Sequence, residues 1–131
     1  MANELTVGKK NAASLMSGNS LGDLIRPLSR EILLFDSYVA GTTRIRDESV
    51  FDDVREGAEL ILQREPEDRF DENAILVLDE QKRKLGYIPE KDNIVFARLM
   101  DAGKYLTARV RYHEPKGPFR QISISIFLVD F

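Results

Sequence analysis

Cysteine is absent from this 131-residue chain, and histidine occurs once, at His113. Without cysteine there is no disulfide scaffold and no thiolate metal site, a composition that fits a reducing cytoplasm. A single histidine falls short of the several His or Cys ligands a zinc centre needs, so neither metal nor cofactor is expected. No apolar run approaches the roughly 20 residues that cross a bilayer, and Met1–Asn19 lacks the apolar core of a signal peptide. The expectation is a cytoplasmic protein with no membrane partner. An excess of positive charge is missing as well: Lys and Arg number 19 against 22 Asp and Glu, for a net charge of −3. No global electrostatic footprint for nucleic acid exists. The catalytic signatures are missing too, with no G-x-x-x-x-G-K to cradle a nucleotide, no G-x-S-x-G and no H-E-x-x-H. A non-enzymatic protein is expected.

What is present is an ordinary globular composition, 43% hydrophobic and 31% charged, on a chain long enough for one core. Residues 1–30 read as an N-terminal segment and 31–131 as the folded domain. In "SLGDLIRPL", Leu21, Leu24, Ile25 and Leu28 fall at helical spacing behind Ser20 as N-cap, and Pro27 keeps that helix short. Its apolar stripe is expected to pack on the domain or on a second copy of the chain.

From Ile32 onward the pattern is β. Ile32–Gly41 reads as a first strand, "ELILQRE" as a second with Leu60 and Leu62 inward, and the wholly apolar "NAILVL" as a central third. "EQKRK" is a charged turn before "LGYI". One main helix is expected over about 89–102, with Pro89 in its first turn, Gly103 ending it, and Ile94, Val95, Leu99 and Ala102 as its apolar stripe. "YLTARVRYH" and "RQISISIFLVDF" then alternate around "EPKGPF", which predicts a closing hairpin. The fold class is mostly β (α+β), a small six-strand antiparallel barrel with one main helix.

The charges admit more than one reading. Carboxylates crowd between Asp47 and Glu72, and converging carboxylates are what a two-metal nuclease needs. They fall mainly in turns, however, where charge runs are usually solvated faces. Arg109, Arg111 and His113 share one strand face, either a solvated outer surface or a phosphate-facing strip. His113, beside Glu114 with no nucleophile near it, is expected at the surface. The stretch "REPEDRFDENAILVL", Arg64–Leu78, is the most unusual. Pro66 ends a strand, Asp71 and Asn73 can cap the loop's own backbone, and "FDEN" can be simply a self-capped turn. Phe70 resists that reading, since a lone aromatic in so polar a loop must either fold inward or offer its face to something.

"YVAGTT", "REPEDRFDENAILV", "LGYIP" and "IVFARLMDAGK", in that order and near those spacings, resemble the HIRAN domain family, in particular its bacterial stand-alone members. The resemblance covers roughly Leu33 to Phe131. It implies an OB-like six-strand barrel. In eukaryotic members fused to SNF2-type translocases, the domain captures the 3′-hydroxyl end of single-stranded DNA, which implies a repair or replication setting. Carried over by motif, Phe70 stacks on a terminal base, Asp71 accepts from the 3′-hydroxyl, and Tyr87 lines the pocket. Thr42 and Thr43 stand where DNA-binding members carry an Arg–aromatic pair, with Arg44 just after. Glu90 stands at a position often basic in those members, followed by Lys91. Arg44, Lys91, Arg109 and Arg111 are the candidate phosphate contacts, and with so few of them binding should be modest and salt-dependent. The implied partners are a single-stranded DNA 3′ end and a helicase or nuclease acting in trans. A module that docks such a protein partner, without DNA, is the rival expectation, and a metal-dependent nuclease a third.

Overall fold

The alternating runs form strands. The computed structural model describes residues 30–117 and 119–130, so the short helix expected around residues 20–28 lies outside the described residues. The strands are β1 (Arg30–Tyr38), β2 (Glu59–Arg64), β3 (Ile75–Leu78), β4 (Lys84–Tyr87), β5 (Tyr105–Lys116) and β6 (Phe119–Asp130). They stand in one sheet in the order β1-β6-β5-β2-β3-β4. β2 runs antiparallel to both its neighbours, with Arg64 opposite Ile75 on β3 and Glu59 opposite Arg109 on β5. The apolar "NAILVL" run is central as expected, lying between β2 and β4 with all four β3 residues buried.

The sheet curls until its two ends meet. Val39, just past β1, donates its N–H to the Ile122 carbonyl. The next residue, Ala40, exchanges both backbone hydrogen bonds with Tyr87 on β4, at 2.7 and 2.9 Å. One short segment thus joins the first strand's neighbour to the last strand, and the result is the small six-strand barrel expected.

Period-two alternation places the core. Leu60 and Leu62 on β2, Leu106, Ala108 and Val110 on β5, and Ile122, Ile124 and Ile126 on β6 are all buried in one apolar cluster. Val50, Phe51 and Val54 join it from a region that carries no strand or helix pattern, a two-turn 3-10 stretch over Glu48–Asp53 and the residue that caps its C-terminal end. Asp47 caps that stretch, its carboxylate accepting from the Ser49 N–H and hydroxyl. Hydrogen bonds to Ser49 hold the Asp47 carboxyl below its ordinary range.

The helix forms where expected but is turned differently. A 3-10 turn, Glu90–Asp92, leads into α1 (Asn93–Asp101), and Gly103, at φ 92°, closes it with its N–H on the Met100 carbonyl. Asn93, Phe96 and Ala97 are the buried positions, while Ile94 and Val95 are exposed. The expected stripe is therefore corrected at Ile94, Val95 and Ala102, which are exposed, while Leu99 packs against the core as expected. An inward amide at Asn93 and the Phe96 ring, 5.9 Å from that of Phe35, decide which face is covered.

His113 is also corrected, since it is not a surface side chain. Its ring lies 6.3 Å from that of Phe51, its Nδ1 is 3.0 Å from the Val54 carbonyl, and its Nε2 is buried. The strict alternation of β5 does not extend to this end of the strand. Tyr112, expected inward, is 38% exposed.

Candidate functional site

Gly86, in "LGYIP", is required by the closure of the barrel. A Cβ built on it would run into the Ala40 carbonyl and the Val39 side chain. Only glycine lets residues 39 and 40 approach β4 closely enough to form the bridge to Tyr87. Past that bridge Gly41 takes the left-handed conformation, φ 78°, and the chain enters a 3-10 turn, Thr42–Arg44. The glycine pair therefore brings Arg44 and Tyr87 to the same end of the barrel.

The loop between β2 and β3 comes to that end from the other side. Pro66 stands two residues past β2, just after the last ladder bond from the Glu65 N–H to the Ala74 carbonyl, as a residue unable to donate to the ladder does. Asp68 then organises the turn, its Oδ1 accepting from the N–H groups of Phe70 (2.8 Å) and Asp71 (3.0 Å). Asp71 Oδ1 accepts from the N–H of Asn73 at 2.9 Å, and its Oδ2 accepts from Asn93 Nδ2 at 2.7 Å. "FDEN" is thus a self-capped turn, and it is tied to the start of α1. At its base Arg64 donates to the carbonyls of Ala74 and Glu72 and pairs with Asp101.

With its backbone held from beneath, the loop presents Phe70 outward: the side chain is 89% exposed. Beside it lies an open cleft of about 440 Å³, lined by Phe70, Asp71, Tyr87, Arg44, Asp68, Lys84 and Glu90, with Ala40, Gly41, Ala74 and Ile88 among them. Tyr87 is fixed as a wall: its hydroxyl donates to Glu65 Oε1 at 2.9 Å and accepts from Lys84 Nζ at 3.2 Å. The Lys84 ammonium also sits 4.6 Å from the ring centroid, a cation–π contact. Partial burial pushes the Tyr87 hydroxyl above the ordinary phenol range, with the Glu65 bond adding to that effect and Lys84 opposing it. The phenol is a neutral donor at physiological pH.

Chemically the cleft offers an exposed aromatic face, the fixed Asp71 carboxylate together with those of Asp68 and Glu90, a neutral phenol and two cations. Arg44 and Lys84 have no carboxylate partner among the described residues, whereas most guanidinium groups elsewhere on the domain are ion-paired. Arg109 pairs with Glu59 and lies over Phe127, and Arg111 pairs with Asp36. Arg120 pairs with Glu48 and Arg83 with Asp53.

Of the residues singled out from sequence, Phe70, Asp71, Tyr87 and Arg44 converge on this cleft. Thr42 is buried, its hydroxyl bonded to the main chain of Arg120. Thr43 is exposed but does not line the cleft, and Lys91 reaches Asp92 and the ring of Tyr38 instead. Arg109 and Arg111 share a face of β5 with no part in the cleft. Sequence reasoning missed Lys84, Asn93 and the clamp made by Arg64. Asp68 had a legible signal, because an aspartate two and three residues before unpaired N–H groups is the spacing of an Asx turn. Lys84 had none, since only closure of the barrel brings it to the cleft. Much of the acidic run is spent in caps and ion pairs of this kind, and among the described residues no three His, Asp or Glu side chains converge as metal ligands do.

A family model described as the HIRAN domain matches residues 32–129. The crystal structure of a protein from Lactobacillus plantarum superposes with a TM-score of 0.74 at 28% identity, covering 79% of this chain and 99% of that one. The crystal structure of the HIRAN domain of human HLTF gives 0.62 at 18% identity, over 76% of this chain and 79% of that one. An NMR structure of the HLTF HIRAN domain in its DNA-bound conformation gives 0.57 at 19% identity, over the same shares. At such identities the two HLTF likenesses speak for the fold. No curated protein sequence matches the chain.

Proposed function

The chain belongs to the HIRAN domain family, and from that footing we propose that it is a non-enzymatic module that binds DNA, capturing the 3′-hydroxyl end of a single strand. The observation that carries this reading is the convergence of Phe70, Asp71 and Tyr87 on one open cleft, with the Phe70 ring left in solvent. A large apolar ring held outward by a self-capped loop, with the Arg69 guanidinium 6.0 Å from its centroid, contributes little to the core of the described domain. Stacking on a nucleobase is a use for it that requires only a π-face. The HLTF HIRAN domain is known in a DNA-bound conformation, which supports the ligand class.

The chemistry of an end follows from Asp71. Each carboxylate oxygen already accepts one protein N–H, and a carboxylate has about four acceptor sites. The sites left over suit a hydroxyl donor. A phosphodiester at the same place would set anion against anion, so the pocket suits a strand's terminus and not its middle. Arg44 and Lys84, at the cleft without carboxylate partners among the described residues, are the phosphate contacts of this reading, a smaller set than the sequence suggested. A repair or replication setting, in the cytoplasm, with a helicase or nuclease acting in trans, belongs to the same proposal.

The test is a titration of labelled single strands ending in a 3′-hydroxyl or a 3′-phosphate at low salt. Hydroxyl ends should bind about tenfold or more tighter, the range expected for one charge-assisted hydrogen bond, and Asp71→Ala should erase most of that difference. If neither strand binds, or if Asp71→Ala keeps the preference, the reading fails and a module that docks a protein partner takes its place.

A further inference from the structure

Asn93 is the first residue of α1 and only 2% exposed. An asparagine is a poor choice for a buried helix position unless its amide has a partner. Here the partner is Asp71 Oδ2, 2.7 Å from Nδ2. The geometry admits one assignment, because an ionised carboxylate only accepts and so must face the amide nitrogen. On the other oxygen stands the Asn73 N–H, at 2.9 Å. Asp71 is thus gripped by one donor from its own loop and one from α1, while its side chain still lines the cleft.

We infer that Asn93 is a positioning residue. It fixes the Asp71 carboxylate as an obligate acceptor and thereby makes the cleft select a terminus that donates a hydrogen bond. The inference rests on the end-binding reading above and deepens it: discrimination resides in a buried residue that touches no ligand. A carboxylate held from one side only would rotate, and its preference for a hydroxyl would be diluted over orientations that miss it.

The experiment compares strands ending in a 3′-hydroxyl with strands ending in a 3′-dideoxy nucleotide, which lacks the donor without adding charge. Wild type should favour the hydroxyl by about tenfold, and Asn93→Ala should cut that preference to about twofold or less. Adding Asn93→Ala to Asp71→Ala should change the preference no further, because Asn93 acts through Asp71. A residue that merely stabilised the loop would weaken both ligands together and leave their ratio alone. If wild type shows no preference, the end-binding reading itself falls. If wild type shows it and Asn93→Ala keeps it, the positioning role falls while that reading stands. Should Asn93→Ala not fold, the side-chain amide resonances of Asn93 in the wild-type protein serve instead. They should shift more with the hydroxyl strand than with the dideoxy strand, and equal shifts overturn the inference.

Discussion

Arg64 meets Asp101 fork to fork, with Nε 2.9 Å from Oδ1 and Nη2 3.1 Å from Oδ2. The same guanidinium donates to the Ala74 carbonyl at 2.7 Å and the Glu72 carbonyl at 2.9 Å. One side chain therefore ties the base of the Phe70 loop to the last residue of α1. A lysine supplies a point charge where this arrangement uses a planar fork. Arg64→Ala should cost about 2–3 kcal/mol by leaving two carbonyls short of a charged donor, and Arg64→Lys should recover only part of it. Urea denaturation gives the cost, and faster amide exchange over residues 66–73 would locate it in the loop.

The same pair has an acid limit. Hydrogen bonding to Arg64 holds the Asp101 carboxyl below its ordinary value of 3.8. A carboxylate with a lowered folded-state pKa stabilises the fold above its unfolded pKa, and that contribution is lost as pH falls through the folded value. Wild type should therefore exceed Asp101→Asn in melting temperature at neutral pH, and the gap should close as the pH is lowered below about 4. A gap that persists at pH about 2 would assign the effect to packing and not to charge.

Gly86 and the Ala40 carbonyl approach each other so closely that no Cβ fits between them. The obstacle is backbone, which cannot swing aside as a flexible side chain can. Gly86→Ala should cost at least the roughly 1–3 kcal/mol typical of overpacking, by forcing residues 39–40 off β4. Loss of protection at the Ala40 and Tyr87 amides in hydrogen exchange, together with a lower urea midpoint, is the expected signature.

The barrel was legible because its signal is local. Leu60 and Leu62, and Ile122, Ile124 and Ile126, alternate at the strand period, and burying one face of each strand leaves little freedom in register. The phase of α1 was not legible. Ile94 and Val95 look like a core stripe, and what displaces them to the surface is the bond from Asn93 to a loop 22 residues away in sequence. The burial of Thr42 was not legible either, because its hydroxyl meets the main chain of Arg120, 78 residues away in sequence. Within the site, Phe70, Asp71 and Tyr87 stood out through the family motif. Lys84 comes to the cleft only after the ends of the sheet have met, and Arg64 finds its partners only once the β2–β3 loop and the end of α1 lie together; no periodicity encodes either.

Phe70 separates binding from stability. A side chain 89% exposed loses little hydrophobic burial when removed, so Phe70→Ala should leave stability within about 0.5 kcal/mol of wild type. Affinity for any single strand should nevertheless fall by about 1–3 kcal/mol, the usual worth of one base–aromatic stack. Denaturation and anisotropy titrations on the same sample measure both. A stability loss of several kcal/mol would mean the ring packs against something in the intact protein, and stacking would lose its main support.

Salt dependence tests which cations face the phosphates. Each phosphate contact to a single strand contributes about 0.7 to the slope of log affinity against log salt. Arg44 and Lys84 line the cleft without a carboxylate partner among the described residues, so Arg44→Gln and Lys84→Gln should each weaken binding at low salt and flatten the slope by about that amount. Arg109 and Arg111 carry Glu59 and Asp36 as partners on another face of the barrel. A phosphate would have to displace those carboxylates, so Arg109→Gln and Arg111→Gln should leave the slope unchanged. Lys84→Gln has a second consequence, since its ammonium is bonded to the Tyr87 hydroxyl and lies over that ring. Removing it lifts the influence that opposes the rise in the phenol pKa, so Tyr87 should ionise at a higher pH in Lys84→Gln than in wild type, as followed by ultraviolet absorbance. If Arg109→Gln and Arg111→Gln flatten the slope and Lys84→Gln does not, the strand runs across β5, and the cleft beside Phe70 is not its path.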